Sequence, residues 1–133
     1  MEGVVIDTNV FVAAGFNPGS AAARILAGIR EGRFRLVWNG PTRRETEMIL
    51  RRIPRLDWEE KVADLFRPEG EFTGPTDPEA FTLIADLDDR KFAALSAAAR
   101  APLVTSDKHV LAQSNAAGID AVTPTAFLAR DDS

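Results

Sequence analysis

The chain has 133 residues, of which 45% are hydrophobic and 27% are charged. These values are typical of one globular domain with one sizeable core, so we predict a single domain over residues 1–133. The sequence contains no cysteine and one histidine, which excludes disulfide bonds, thiolate zinc sites, a cysteine nucleophile and a metal site of several histidines. The net charge of −4 argues against a passive nucleic-acid-binding module, but not against an enzyme whose bound cations reverse the local charge.

No apolar run in the sequence approaches the length of a membrane span. The chain begins Met1-Glu2-Gly3 and passes at once into an apolar run, so no signal peptide is visible. Together with the absence of cysteine, these features favour a cytoplasmic protein that has no membrane partner.

Short apolar runs alternate with helical patterns along the chain. The apolar runs predict strands at residues 4–6, 34–38, 102–105 and 119–122, with a further short strand near 71–73 in a Pro- and Gly-rich passage. Helical patterns cover residues 20–30, 39–52, 58–66, 88–100, 107–115 and 123–128, and the polar tail at 130–133 is expected to fray. Strands separated by helices predict an α/β fold, with a mostly parallel central sheet and helices on both faces.

Two aspartates follow predicted strands that lie far apart in the sequence. Asp7 comes directly after the first strand, and Asp107 follows the strand that contains Val104. Ligands of open α/β sheets bind at the C-terminal ends of the strands, where these two carboxylates would lie. The alternative is that each aspartate only forms a turn or caps the following helix, which becomes less attractive when two strands end in the same way.

Glu45 is a third candidate because it shares a helix face with Met48 and Ile49. A carboxylate on an apolar face costs free energy unless another group pairs with it. The alternative is a purely structural role, since Thr42 and Glu45 have the spacing of a capping box.

A cluster of aspartates opens the helix predicted at residues 88–100. Asp86, Asp88 and Asp89 repel one another, and a capping or solvated role explains Asp86 and Asp88 well. Asp89 precedes Phe92 by three residues and Ser96 by seven, which places it on the inward-facing stripe of the helix.

If these carboxylates converge, they cannot all remain ionised without a counter-charge, because close like charges raise the pKa of one another. Ligands that are all oxygen select Mg²⁺ or Mn²⁺, and one or two such ions would activate water for phosphodiester hydrolysis. Thr8 and Asn9 beside Asp7, and Thr105 and Ser106 beside Asp107, could orient the carboxylates or bind the scissile phosphate.

The ordered set of acids resembles the PIN domain family. The matching features extend from Val4 to Leu128, and they are the following: Asp7-Thr8-Asn9 after an apolar strand, Glu45 early in a helix, Asp86-x-x-Asp89 followed by Phe92, Val104-Thr105-Ser106-Asp107, and the ending Val122-Thr123-Pro124-Thr125-Ala126-Phe127-Leu128. The resemblance implies a PIN-like three-layer sandwich and an endoribonuclease that depends on Mg²⁺ or Mn²⁺. Many members of the family are VapC-like toxins of type II toxin–antitoxin pairs. The resemblance therefore also implies an RNA substrate, a cognate antitoxin protein and a homodimer.

The resemblance implies that Asp7, Glu45, Asp89 and Asp107 form the catalytic, metal-binding quartet. The run at 86–89 is most similar to a subgroup of toxin components in which proline stands where this chain has Leu87. Other departures are Ser106 in place of a common glycine and Asn39 in place of serine or threonine. These departures leave open whether Asp88 or Asp89 is the third ligand, but none of them removes an acid.

Basic residues flank the candidate ligands and could hold RNA phosphates. We expect substrate contacts from Arg44 and Lys108, while ordinary solvated helix faces remain the simpler explanation for Arg51 and Arg52. The basic residues near the candidate ligands also include Arg43, Arg90 and Lys91. His109 is expected to be exposed or locally hydrogen-bonded. Trp58 is expected in the core or at an interface, and it is a candidate dimer contact.

Two other functions compete with a ribonuclease. A phosphatase or phosphoryl-acceptor domain would use Asp7 as its nucleophile, but Asp7-Thr8-Asn9 lacks the second acid usual in such families, and Lys108 is the only suitably placed lysine. A non-catalytic PIN-like interaction module would keep its function when the acids are replaced by alanine.

Overall fold

The computed structural model describes residues 2–131 of the chain. Its strands are β1 (Glu2–Ile6), β2 (Phe34–Leu36), β3 (Leu103–Val104) and β4 (Ala121–Val122). Its α-helices are α1 (Thr8–Phe16), α2 (Ala21–Arg30), α3 (Gly40–Arg51), α4 (Leu87–Ala99), α5 (Lys108–Gln113) and α6 (Pro124–Asp131). Short 3-10 or π-helical turns occupy Pro54–Leu56, Trp58–Val62, Ala63–Leu65, Pro68–Gly70 and Pro78–Ala80.

The four strands form one parallel sheet with the order β2-β1-β3-β4. The central strand β1 aligns Val4 with Leu36 of β2 and Ile6 with Val104 of β3. Parallel strands end at the same edge of a sheet, so the residues that follow β1 and β3 are neighbours. This topology confirms the predicted α/β fold.

Alternate residues of the strands face two separate hydrophobic cores. Val4, Ile6 and Val104 pack against α1, α2 and α6, together with the turns between residues 54 and 66. Val5 and Leu103 face the other side, where they pack against α4 and α5. The result is the predicted three-layer sandwich, in which both faces of a parallel sheet are covered.

The helix α1 was not predicted. Its sequence is apolar around its whole circumference and rich in β-branched residues, so it carries no amphipathic period. The structure explains this composition, because Val10, Phe11 and Ala14 are buried in the core on the side of the sheet that α2 also covers. A short buried helix of this kind cannot be separated from a strand by periodicity alone.

Most other elements agree with the prediction, but several are shorter. The predicted strands at 34–38, 102–105 and 119–122 contain two or three paired residues each. The segment at 58–66 is not a regular α-helix but a π-turn followed by a 3-10 turn. The helix α6 continues through Asp131, and the rest of the predicted frayed tail lies outside the described residues.

The proposed dimer contact at Trp58 is wrong. Trp58 is buried inside the chain, and the distance between the centroids of its ring and the Phe66 ring is 5.4 Å. Phe66 also stacks on Phe11 of α1. The indole thus fills a core beneath an irregular segment instead of a surface between two subunits.

The predicted strand near 71–73 is reduced to a single bridge between Trp38 and Glu71. The backbone N–H of Trp38 donates to the Gly70 carbonyl at 3.1 Å, and the backbone N–H of Phe72 donates to the Trp38 carbonyl at 2.7 Å. Glycine is required at position 70, because a Cβ there would clash with the Leu36 carbonyl oxygen. The Pro-rich passage therefore lies directly against the chain beyond β2.

Within residues 2–131, no single helix is long and apolar enough to cross a membrane, and α1 and α2 reach that length only as a pair bent by 101°.

Candidate carboxylate site

Asp7 lies at the C-terminal end of β1, at the N-cap position of α1, and its exposed fraction is 6%. The Thr105 hydroxyl donates to Asp7 Oδ2 at 2.8 Å. Burial raises the pKa of Asp7 above its usual value, and the nearby Asp107 carboxylate adds to the rise. The Thr105 hydroxyl and the backbone N–H groups of Asn9 and Thr8 offset part of this effect, although neither N–H makes a cap hydrogen bond.

Asp107 follows β3 at the same edge of the sheet and is the N-cap of α5. Its Oδ1 accepts hydrogen bonds from the backbone N–H groups of His109 at 2.8 Å and Val110 at 3.1 Å. The capping role considered as an alternative is therefore real. It occupies one carboxylate oxygen, and Asp107 remains close enough to raise the pKa of both Asp7 and Asp89.

Thr105 connects the two strand-end carboxylates. Its fully buried hydroxyl donates to Asp7 Oδ2 and accepts from the backbone N–H of Asp107 at 3.1 Å. A hydroxyl can donate one hydrogen bond, and here Asp7 is its acceptor. This geometry suits the orientation of the carboxylates better than direct contact with a substrate phosphate.

We expect Thr105→Val to weaken Mn²⁺ binding about 10- to 100-fold, because it removes the hydroxyl that fixes Asp7 Oδ2. It should also destabilise the metal-free protein by about 1–3 kcal/mol, since a buried acceptor loses its donor. Calorimetric titration with Mn²⁺ and chemical unfolding measure the two effects. Thr105→Ser is the matched control, since it keeps the hydroxyl; equal Mn²⁺ affinity in both variants would contradict the positioning role.

Asp89 lies in the first turn of α4, and its carboxyl group has a strongly raised pKa. Partial burial raises the pKa of Asp89 to about 7, with further contributions from the carboxylates of Asp7, Asp86, Asp107 and Asp88. Asp89 is thus electrostatically coupled to both strand-end acids. This coupling favours Asp89 over Asp88 as the third member of the site.

The other aspartates of this cluster have different surroundings. Asp86 is the N-cap of α4, and its side chain accepts from the Asp88 N–H at 2.9 Å. The Asp88 side chain is 72% exposed. The predicted capping role of Asp86 and the predicted solvated position of Asp88 both agree with the structure.

Glu45 is not part of a capping box. The box that begins α3 is formed by Asn39 and Thr42, each side chain bonded to the backbone N–H of the other. Asn39 thus serves as the N-cap of α3. The face that Glu45 shares with Met48 and Ile49 is not the buried face of α3: Met48 is exposed, and the buried residues of the helix are Thr42, Thr46 and Leu50.

Glu45 instead forms an ion pair across the two helices. The Lys91 ammonium of α4 donates to Glu45 Oε1 at 3.0 Å and lies 3.8 Å from Asp88 Oδ1. Lys91 was identified from the sequence only as one of several flanking cations. Its pairing with a residue 46 positions away has no signal in the sequence.

The remaining predicted substrate contacts differ in accessibility. Asn9, Arg44 and Lys108 are exposed. Thr8 is buried, and its hydroxyl lies 2.9 Å from that of Thr46, so it fastens α1 to α3. His109 is exposed as expected, and its Nε2 accepts from the Ala85 N–H at 3.2 Å.

The donor set suits a hard divalent cation in its chemistry, since every candidate ligand is a carboxylate. The raised pKa values of Asp7 and Asp89 reflect in part the like-charge repulsion that a cation would relieve. Within residues 2–131, no three acidic or histidine side chains lie close enough to hold a metal ion as they stand. Cation binding would therefore have to draw the carboxylates closer together.

The fold and the site define an α/β domain with acidic side chains gathered at the C-terminal edge of a parallel sheet. The family model of the PIN domain matches residues 3–109, which include all four acids, and the chain belongs to this family. PIN domains are generally nucleases. No curated protein and no solved structure matches the chain.

Proposed function

We propose that the protein is a metal-dependent endoribonuclease that hydrolyses RNA phosphodiester bonds. The observation that carries this proposal is the electrostatic coupling of Asp7, Asp89 and Asp107 where β1 and β3 end. Mutual repulsion between these acids costs stability, so a purely structural role does not explain why they lie together. In a member of a nuclease family, metal binding gives the group a chemical role.

Asp7, Asp89 and Asp107 would hold Mg²⁺ or Mn²⁺, with Glu45 completing the quartet. A divalent cation bound there supplies an activated water and neutralises charge on the scissile phosphate. The chain itself fixes Asp7 Oδ2 through Thr105 and fixes Asp107 through the first turn of α5.

Substrate positioning falls to the exposed polar residues around these acids. The amide of Asn9 lies two residues from Asp7, within the first turn of α1. Lys108 follows Asp107 directly, and Arg44 precedes Glu45 on α3, so both cations border the acids. They would hold RNA phosphates and partly offset the negative charge that the site presents to its substrate.

We further propose that the nuclease is the toxin of a type II toxin–antitoxin pair, inhibited by a cognate antitoxin protein, and that it forms a homodimer. The support is the resemblance of Asp86-Leu87-Asp88-Asp89 to a subgroup of toxin components. A neighbouring reading frame for a small antitoxin would strengthen this role.

Cleavage of a fluorogenic single-stranded RNA should require Mg²⁺ or Mn²⁺ and should stop in excess EDTA. Re-addition of Mn²⁺ should restore the activity, since the carboxylates can rebind the ion. Cleavage that continues in EDTA at the same rate would contradict the metal-dependent mechanism. The same RNA without protein, with and without Mn²⁺, controls for hydrolysis by the metal alone.

The two competing functions predict different outcomes. A non-catalytic interaction module would bind its partner equally well when Asp7 is replaced. A phosphatase would need Asp7 accessible as a nucleophile, but its carboxylate is buried and accepts a hydrogen bond from the Thr105 hydroxyl. The arrangement of these two residues favours a ligand over a nucleophile.

A further inference from the structure

The pair formed by Lys91 and Glu45 is unlike the other ion pairs described for the chain. The Lys91 side chain is 23% exposed and that of Glu45 is 13% exposed, whereas the pair of Arg51 and Glu47 lies more openly in solvent. A partly buried pair is screened less by water and salt than an exposed one. The Lys91–Glu45 contact is therefore the least solvent-exposed of the ion pairs described for residues 2–131.

Lys91 contacts two acids from different helices. Its ammonium lies 3.0 Å from Glu45 Oε1 on α3 and 3.8 Å from Asp88 Oδ1 on its own helix. Among residues 2–131, no ion pair places another cation on Asp7, Glu45, Asp89 or Asp107. Lys91 is thus the one cation that the ion pairs of residues 2–131 place on any of these four acids, and the acid it contacts is Glu45.

This contact conflicts with metal ligation by Glu45. The ammonium occupies Glu45 Oε1 at 3.0 Å, and its positive charge would repel a divalent ion bound to the other oxygen of the same carboxylate.

We propose that Lys91 occupies the place of the divalent cation at Glu45 in the metal-free protein and competes with that cation for the carboxylate. The inference rests on the metal site proposed above. Metal binding requires the Lys91 ammonium to leave Glu45, and the flexible four-carbon side chain permits this movement. Asp88, already 3.8 Å away and exposed, is the acceptor that remains for the displaced ammonium.

Two consequences follow for the protein without and with metal. Without metal, Lys91 stabilises the site because it pairs a carboxylate that would otherwise be partly buried and uncompensated. With metal, the same residue lowers the affinity, since its displacement opposes binding. Lys91 therefore raises the concentration of divalent cation that is needed to fill the site.

The test is a calorimetric Mn²⁺ titration of the full chain, with thermal unfolding in EDTA. We expect Lys91→Met, which keeps the length of the side chain but not its charge, to bind Mn²⁺ about 3- to 30-fold more tightly than wild type. The metal-free variant should melt at a lower temperature. Lys91→Arg should bind Mn²⁺ as wild type does.

Arg52→Met is the matched control, since it removes a positive charge from the exposed end of α3 away from Glu45. It should change the Mn²⁺ affinity less than Lys91→Met does. Equal or weaker Mn²⁺ binding by Lys91→Met would overturn the inference. If wild type binds no Mn²⁺ at all, the proposed metal site itself is wrong, and the two failures are thereby distinguished.

A structure of the wild-type protein with Mn²⁺ bound provides a test that does not depend on the folding of any variant. The Lys91 ammonium should then lie beyond hydrogen-bond distance of both Glu45 oxygens. A Mn²⁺ ion ligated by Glu45 while the 3.0 Å ion pair persists would overturn the inference.

Discussion

Asp7→Asn should reduce the rate of RNA cleavage at least about 100-fold, because loss of even an outer-shell partner of a metal commonly costs 10- to 100-fold. The substitution removes the charge and preserves the shape of the side chain. The Thr105 hydroxyl can still donate to the remaining amide oxygen, so the local hydrogen bond survives. The expected loss is therefore one of metal ligation and not of folding.

Stability measurements separate these two causes. Burial raises the pKa of Asp7, so the folded state disfavours its charged form. Without metal at neutral pH, Asp7→Asn should be at least as stable as wild type in chemical unfolding. Asp120→Asn is the matched control, because Asp120 lies at the surface and is paired with Arg130. This variant should cleave RNA at the wild-type rate.

A second assay tests the biological role of the same substitution. Induced expression of the wild-type chain should arrest growth if the protein is a toxin, and expression of Asp7→Asn should not. Cleavage by Asp7→Asn at the wild-type rate would remove the basis of the nuclease proposal. Cleavage without growth arrest would remove only the toxin role.

Asp89→Asn should stabilise the metal-free protein at pH 8. The pKa of Asp89 is raised to about 7 in the folded state, so its contribution to stability is present below the unfolded value near 3.8 and is lost as the pH rises through about 7. At pH 8 the variant should exceed wild type by about 1–2 kcal/mol, a figure reduced because the carboxylate is partly exposed to screening solvent. The difference should shrink towards pH 4.

Saturating Mn²⁺ should reverse this order. A ligand that binds only the folded state stabilises it according to its concentration and affinity, and the variant lacks one carboxylate for the ion. Urea unfolding at pH 4, 6 and 8, with EDTA or Mn²⁺, measures both effects. Without metal, Asp120→Asn should instead be less stable than wild type at pH 8, since Arg130 lowers the pKa of Asp120 and so favours its charged form. A pH-independent difference between Asp89→Asn and wild type would contradict the assigned electrostatic coupling.

The sequence was informative where local chemistry and strand order agree. Asp7 and Asp107 could be placed at one edge because each follows an apolar run, and parallel strands end together. Asp89 could be placed on the inward stripe by its spacing from Phe92 and Ser96, and both of these residues are buried. These inferences depend only on periodicity and topology.

The errors arose where burial overrides local pattern. Helix α1 escaped prediction because its exposed side also carries small or apolar residues such as Ala13 and Phe16, so its sequence shows no amphipathic period. Trp58 was assigned to a dimer surface because an aromatic residue beside an amphipathic segment fits a core or an interface equally well. The position of the irregular turns against α1 and α3 decides between these two, and the sequence does not encode it locally.

Glu45 shows a different limit. Its spacing from Thr42 suggested a cap, but Asn39 takes that role through its own side chain. The pairing of Glu45 with Lys91 depends on how α3 and α4 approach each other, a tertiary fact. Single-sequence reasoning can name such residues as charged neighbours of a site but cannot pair them.

The passage that holds Gly70 next to Leu36 has a consequence for the behaviour of the molecule in concentrated solution. An open sheet edge offers unpaired N–H and C=O groups to strands of other molecules. Beyond β2, Trp38 already exchanges backbone hydrogen bonds with Gly70 and Phe72, so its donor and its acceptor are both occupied. The Pro-rich segment thus occupies the sheet edge at Trp38, where a strand of another molecule would otherwise find an unpaired donor and acceptor.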